Sequence, residues 1–524
     1  MAFAVWVAAV AFLWTDQGSL LGWDEVDYVN AARLGTVANA LESRSLSAMG
    51  FLRFGVAKLR GHDAVLPPDY NEQIDPLLLR HYHPPLVVYL LSTVSWSQSE
   101  RVLRSVQLLG ALVFCFTIVL SYRSTSELTH WSGLLLVSLL TLWMSVLLFG
   151  PIWFHGWEAV WSTAAAALVS LQMKRPLRSG SYGLDVALGV VLALALLTGE
   201  TGLFVWLGAM LSSGLGYRGS CQRAELAVGL RHCALAIGTA VLCVGLGWPG
   251  SIAKISLVKN FATHGYSAWL GSESAIVSYR ALAEALLPLS VLSPVSVLWM
   301  LIWDRSEWRT WIPFIVVGSL YAVGMLLFVP SASRFRAEYL GPALAPLTCV
   351  VGAACARLPS VQARSVLVGL GCVLIVVAWP QRGGASDQVT REDLQWLASL
   401  LRGREALVDG GHIYQYYLGP EYRIRPLAVT QRGDVRIYDE QVNSELSRLR
   451  ELRSDDINGR VLIIAGYRPP LKLKDAASGL LEGCRRIERA TVRVYDCEEV
   501  RRVGPLGRSP RLAGIDWFDP SRIS

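Results

Sequence analysis

Six stretches of this 524-residue chain set acids or bases beside strongly apolar runs. In Gly22-Trp23-Asp24-Glu25-Val26-Asp27-Tyr28, three carboxylates follow directly on the first apolar run. Charge next to hydrocarbon is costly and is kept where it has a task. Asp24, Glu25 and Tyr28 are therefore candidate site residues, and one of the acids could be a catalytic carboxylate. A plainer reading makes Asp24 the cap of an amphipathic helix running to about Leu41, with Glu25 and Asp27 in a first turn whose dipole favours acids. The two readings are compatible, since a capped helix can present a catalytic carboxylate.

Arg80-His81-Tyr82-His83-Pro84-Pro85-Leu86 comes next, and the Pro-Pro pair fixes the direction of the chain there. His81 and His83 could ligate a metal, but no third ligand lies nearby, and interfacial hydrogen bonding is the favoured reading. Further along, His155 and Glu158 open an apolar run and Glu200 separates two others. Lys254, Lys259 and His264 follow Pro249, while Arg334 and Arg336 follow Pro330. Singly, each reads as a snorkelling or interfacial anchor. Together, acids and cations at one membrane face suit the transfer of a group from a lipid phosphate. The acid removes the proton of an acceptor hydroxyl, and Arg or Lys stabilises charge on the departing phosphate. Arginine suits phosphate because its planar fork stays charged.

The elements that must hold these residues follow from composition. The chain is 53% hydrophobic and 17% charged, with a mean hydropathy of +0.39. Of its charged residues, 45 lie in the last 144 positions and 44 in the first 380. The pattern is a membrane region followed by a water-soluble tail. It excludes a disordered chain, a repeat solenoid, a disulfide-framework miniprotein and a free soluble DNA-binding protein. The net charge of +7 sits largely in short loops between apolar runs, so no nucleic-acid partner is expected.

Apolar runs at residues 1–16, 104–122, 131–149, 157–173, 182–198, 201–216, 231–250, 280–303, 311–329, 338–356 and 364–380 give about eleven spans. With a cytoplasmic N-terminus, the short inner loops carry Arg123; Lys174, Arg175 and Arg178; Arg218, Arg223 and Arg231; Arg305 and Arg309; and Arg357 and Arg364. All are basic, as inner loops are. The expected organisation is a transmembrane domain over 1–380, whose first exported loop covers 15–103, and an exported α/β domain over 381–524. Pro84 to Trp96 is too short to span and reads as an interfacial helix. No internal repeat is evident, which weakens a transporter reading.

In the tail, Asp393 to Leu401 and Asp439 to Leu452 have helical spacing, and Ala406 to Asp409 and Arg460 to Ala465 read as buried strands. Cys484 and Cys497 flank a segment with Arg489-Ala490 at its expected turn, so a hairpin would set them opposite one another. An oxidising exterior would permit a disulfide.

The pieces WDEVDY, HYHPPLVVYL, ERVLRSVQLLGAL, HGWEAVWSTAAAALVSL, LALLTGETGLFVW and SASRFRAEYLGPALAPL, in that order over roughly residues 1–380, resemble the integral-membrane GT-C glycosyltransferases. More narrowly, they resemble the bacterial protein O-mannosyltransferase and aminoarabinose transferase group. The resemblance implies a mainly α, polytopic GT-C fold in the bacterial cytoplasmic (inner) membrane, with the active site on the exported side. It implies a polyprenyl-phosphate sugar donor and, usually, inversion at the sugar carbon. The acceptor would be an envelope glycan, lipid or protein. The catalytic base falls on Asp24, with Glu25 adjacent; a second acid falls on Glu158; the donor-phosphate cation falls on Arg334 or Arg336. Where related sequences often have Lys between the two middle runs, this chain has Gly199-Glu200, which leaves Lys254, Lys259 or another Arg to supply that contact. No cofactor is certain; some relatives use a divalent metal, though no ligand set here compels one. Two alternatives stay open: a transporter or lipid flippase, and a non-catalytic envelope assembly protein.

Overall fold

The computed structural model describes residues 23–33, 35–41, 48–60, 84–96, 100–126, 130–149, 154–174, 182–217, 223–253, 257–258, 287–303, 308–328, 337–378, 390–409, 411–419, 421–429, 435–439, 448–457, 459–465, 479–489 and 492–497. The chain falls into two compact units: Met1–Gln17 with His83–Gln381, and Gly18–Tyr82 with Arg382–Ser524. Among the described residues, the first three helices, α1 (Trp23–Arg33), α2 (Thr36–Leu41) and α3 (Ala48–Leu59), belong to the second unit.

The first unit is helical. Its elements are α4 (Leu86–Ser92), α5 (Glu100–Thr125), α6 (Trp131–Phe149), α7 (His155–Lys174), α8 (Gly183–Thr198), α9 (Gly202–Tyr217), α10 (Arg223–Gly247) and α11 (Pro249–Ala253). They continue with α12 (Leu287–Trp303), α13 (Trp308–Phe328), a 3₁₀ turn (Ala337–Leu340), α14 (Gly341–Arg357) and α15 (Val361–Val377). Each expected span from residue 104 onward falls on a helix, while the first, 1–16, lies outside the described residues. Among the described residues, four helices are long and apolar enough to cross a membrane: Val102–Thr125, Trp131–Phe149, Gly229–Gly247 and Glu338–Arg357. The short apolar segment after Pro84-Pro85 forms α4, of 7 residues.

Small residues decide which helix is central. The α14 segment is 78% buried, against 22% for α10. A Cβ on Gly133 of α6 would lie 2.6 Å from the carbonyl oxygen of Gly352 on α14, so these helices cross backbone to backbone. Pro346 inside α14 has no N–H to return to the Pro342 carbonyl. The Ser162 hydroxyl of α7 donates to that carbonyl instead, at 2.8 Å, which is how a proline becomes tolerable in a helix of this kind. Val241, Leu242 and Leu246 on α10 are exposed, an apolar face that suits acyl chains.

Helices α8 and α10 run parallel, with three contacts in register. His232 Nδ1 lies 2.6 Å from the buried Asp185 carboxylate, which also accepts from Gln172 Nε2 at 2.7 Å. A Cβ on Gly189 would meet the Ala236 carbonyl at 2.5 Å, and one on Gly247 would meet Leu197 at 3.0 Å. At the Gly247 end the α10 carbonyls have no intrahelical donor; Tyr89 of α4 donates its hydroxyl to Gly247 O at 2.7 Å.

The second unit contains a seven-stranded sheet in the order β4-β3-β2-β1-β5-β7-β6. Helix α16 (Arg391–Leu400) precedes β1 (Glu405–Asp409), and α17 (Gly411–Leu418) connects it to β2 (Arg423–Val429). There follow β3 (Val435–Asp439), β4 (Arg448–Glu451), α18 (Ser454–Ile457), β5 (Val461–Ala465), β6 (Arg485–Glu488) and β7 (Val492–Asp496). Strand β1 pairs in parallel with β2 and β5, and the outer pairs are antiparallel. Alternation along β1 sends Ala406 and Val408 into one apolar cluster with Leu397 and Tyr414 of the helices. Leu407 goes into the other, with Leu427 and Leu462.

Two expectations are corrected. The helix expected over Asp439 to Leu452 is contradicted by β4, whose residues Arg448–Glu451 pair with β3; cross-strand pairing overrides the local helical spacing. The helix expected to run to Leu41 stops at Arg33. Gly35 has φ +87 and returns its N–H to Ala32 O, a helix-ending conformation that glycine adopts cheaply, and Asn39 Nδ2 donates to Ala31 O at 2.8 Å. In the β6–β7 hairpin, Arg489 N–H bonds Val492 O, and Ala490, the other residue of the expected turn, lies outside the described residues. Cys484 and Cys497, one step beyond the Arg485–Asp496 pair, form a disulfide with their Cα atoms 4.3 Å apart.

Candidate functional site

Among the described residues of the helical unit, Glu158 is the centre of a buried polar cluster. It enters the first turn of α7, where a helix N-terminus favours a carboxylate, and it is fully buried. Burying a carboxylate is tolerable only when its oxygens are paired or hydrogen-bonded. Thr201 Oγ1 donates to Glu158 Oε1 at 2.6 Å and the Tyr321 hydroxyl to Oε2 at 2.6 Å. His155 Nδ1 lies 3.3 Å from Oε2, one helical turn back on the same face.

Each partner arrives from a different element. Thr201 follows the turn that ends α8, where the chain passes Gly199 in extended conformation. A Cβ on Gly199 would stand 2.3 Å from Glu158 Oε1 and 2.8 Å from Phe154 Cδ2, so the backbone reaches the carboxylate only because this residue has no side chain. Tyr321 comes from α13 and rests edge-on to Phe204 of α9, with ring centroids 6.1 Å apart. Tyr339, in the 3₁₀ turn, lies with its ring 4.7 Å from that of His155, and the Phe154 ring lies 3.9 Å from the same imidazole. Trp161 braces the turn from α7 by donating to Thr198 Oγ1 at 2.9 Å. The arrangement is a carboxylate fixed by two hydroxyls and paired with an imidazole held among aromatic rings.

Of the residues singled out in the sequence, His155, Glu158 and Glu200 meet in or beside this cluster; Glu200 is buried and adjoins Thr201. Asp24, Glu25 and Tyr28 lie on α1 in the other unit. Asp24 is the second residue of that helix, and Glu25 and Tyr28 are buried. His81, His83, Lys254, Lys259, His264, Arg334 and Arg336 lie outside the described residues. Among the described residues no three His, Cys, Asp or Glu side chains gather as a metal-binding group. Sequence reasoning missed Thr201, Tyr321 and Tyr339. Thr201 stands inside the quoted LTGETG stretch and Tyr339 three residues after Arg336, so both had a positional signal; Tyr321, in a plain apolar run, had none.

No family model matches the chain, and no curated protein matches it. Solved structures do. The crystal structure of ArnT from Cupriavidus metallidurans bound to undecaprenyl phosphate is similar with a TM-score of 0.52 at 14% identity, over 96% of this chain and 99% of that one. ArnT in the apo state gives 0.52 at 14% identity, over 94% and 97%. The oligosaccharyltransferase of Archaeoglobus fulgidus reaches only 0.42 at 13% identity, over 76% and 64%, too slight a likeness to argue from. Over nearly its whole length, the chain therefore has the fold of ArnT.

Proposed function

We propose that the protein is a membrane glycosyltransferase that moves a monosaccharide from a polyprenyl-phosphate donor to a cell-envelope acceptor on the outer face of the cytoplasmic membrane. The observation that carries this reading is the near full-length ArnT fold with a buried acid, imidazole and two hydroxyls gathered where α7 begins and α8 ends. ArnT binds undecaprenyl phosphate in the first of those structures, and a donor of that lipid class suits this chain. In the reaction, the acceptor oxygen attacks the sugar's anomeric carbon from the face opposite the phosphate, the carbon–oxygen bond to phosphate breaks, and its electron pair leaves with the phosphate. Asp24 takes the acceptor proton, and Arg334 or Arg336 offsets the charge on the leaving group. Glu158, with its carboxylate oxygens engaged by Thr201, Tyr321 and His155, is a positioning residue.

A transporter reading would be favoured by ionisable groups spread along the spans. Asp185 with His232 is the one such described pair at the other end of α8, and Gln172 ties it to α7 as a helix clamp. Incubating the purified protein in detergent with a panel of radiolabelled polyprenyl-phosphate sugars and membrane extract tests the reading. Transfer of label to an acceptor supports an enzyme, and vesicle-dependent movement of intact donor without transfer supports a flippase.

A further inference from the structure

The helix that carries Asp24 is held at its C-terminal end by the sheet of its own unit. Helix α1 packs against α17, and the guanidinium of Arg33 lies over the Tyr416 ring, 4.9 Å from its centroid, within the reach of a cation–π contact. Both sides of that contact are anchored. On α17, which links the parallel strands β1 and β2, Tyr414 and Leu418 enter the apolar core of the sheet. Tyr416, two residues after Tyr414, falls on another side of the helix. On α1, the carbonyls of the last turn are not left to solvent. Asn39 Nδ2 donates to Ala31 O at 2.8 Å and to Gly35 O at 2.5 Å, and the Gly35 N–H bonds Ala32 O at 3.1 Å. Arg33 therefore extends from a helix end that is itself tied down.

Burial and direction do different work on α1. Val26, Val29 and Ala32 recur at helical spacing and are buried, which sets how deep the helix sits. Apolar burial is non-directional, so small and branched side chains alone leave the helix free to slide or turn slightly against its neighbour. A cation over a ring face is directional, and the Arg33–Tyr416 pair therefore fixes the register of α1. Asp24 stands nine residues before Arg33 on the same helix, about 14 Å along its axis. Tyr416 thus reaches the chemistry only through α1. A rigid helix carries a shift at one end to the other, and a small displacement of a reacting group is costly.

We propose that the C-terminal sheet positions the helix of the first loop for sugar transfer, with Tyr416 and Arg33 as the clasp that sets α1 and, through it, Asp24. Tyr416 is then a positioning residue, and its role rests on the reading of Asp24 as the base. The test measures amide hydrogen exchange over residues 23–33 of the full-length protein in detergent. It also measures kcat and KM for release of undecaprenyl phosphate from the sugar donor that the wild type uses. Arg33→Gln and Tyr416→Leu each remove one half of the clasp, and a double variant removes both. Arg33→Lys and Tyr416→Phe keep a cation and a ring. The expected result is exchange about two- to fivefold faster over 23–33 in either removing variant, with the central strand β5 unchanged. In the same variants kcat should fall at least about threefold while KM stays within about twofold. The double variant should be no worse than the worse single one, the mark of direct coupling, and Arg33→Lys and Tyr416→Phe should recover most of both losses. Unchanged exchange over 23–33, or effects that simply multiply in the double variant, would overturn the clasp. Faster exchange in β5 as well would assign the pair to the stability of the whole domain and count equally against it. Faster exchange over 23–33 with kcat within twofold of wild type would overturn the positioning role. No release by the wild type, or near wild-type release by Asp24→Asn run alongside, would mean that the reading of Asp24 fails and the positioning role with it, while the exchange results still decide the clasp.

Discussion

The Tyr321 hydroxyl donates to Glu158 Oε2 across 2.6 Å, joining residues 163 positions apart on α13 and α7. Both groups are fully buried, and a buried carboxylate that loses a donor is left with an oxygen that nothing compensates fully. Tyr321→Phe should lower stability by about 1–3 kcal/mol. Thermal unfolding in detergent should show the variant melting earlier than wild type; an unchanged melting temperature would mean that this bond adds nothing net.

Gly199→Ala separates contact from backbone strain, because Gly199 is extended at φ −156 and ψ 153, where alanine is at ease. The added methyl would nevertheless collide with Glu158 Oε1 and Phe154. We expect Gly199→Ala to insert and fold but to lose at least about tenfold in sugar transfer, since small displacements of positioned groups are costly. Gly183→Ala, with open space around its Cβ, is the control and should behave as wild type. Equal activity in the two variants would show that the Glu158 cluster tolerates displacement.

Cys484 and Cys497 close a loop with a sequence separation of 13, for which a crosslink is worth about 3 kcal/mol. Protein isolated without reductant and treated with iodoacetamide should yield both cysteines unlabelled, and Cys484→Ser should destabilise the soluble unit by about 2–4 kcal/mol. Two alkylated cysteines in the unreduced protein would show that the bond does not form in the cell.

The topology proposed for the chain makes Asp387 exported and Arg305 cytoplasmic. Reporter fusions at these positions should give opposite signals. Identical signals would overturn the exported placement of the tail and, with it, the outer-face location of the reaction.

Much of this was legible from residue type. Apolar runs marked the helices from residue 104 onward because a span must satisfy its backbone internally and so reads as one continuous stretch. His155, Glu158 and Glu200 stood out because ionisable groups among such runs are rare. Tyr321 did not, since a tyrosine in an apolar run reads as one more aromatic of the core, and neither did Thr201, since a threonine hydroxyl ordinarily bonds nearby backbone; only the fold reveals that these two turn to a carboxylate. The β4 error has a similar origin. Val442, Leu446, Leu449 and Leu452 recur at helical spacing, yet the pairing of Leu449 with Tyr438 is a long-range choice that local periodicity does not encode. The stop at Gly35 was readable in principle, for glycine is the usual residue just past a helix end.

The central claim is tested most directly by the release of free undecaprenyl phosphate from undecaprenyl-phosphate sugars, measured for wild type and Asp24→Asn in the presence of membrane extract. Asparagine has nearly the shape of aspartate but is a very poor base, and loss of a positioned base typically costs about 100-fold to 10,000-fold in rate. The account predicts acceptor-dependent release by the wild type from at least one donor, and a loss in that range for a folded Asp24→Asn. No release from any donor, or release by Asp24→Asn within a few-fold of wild type, would contradict it.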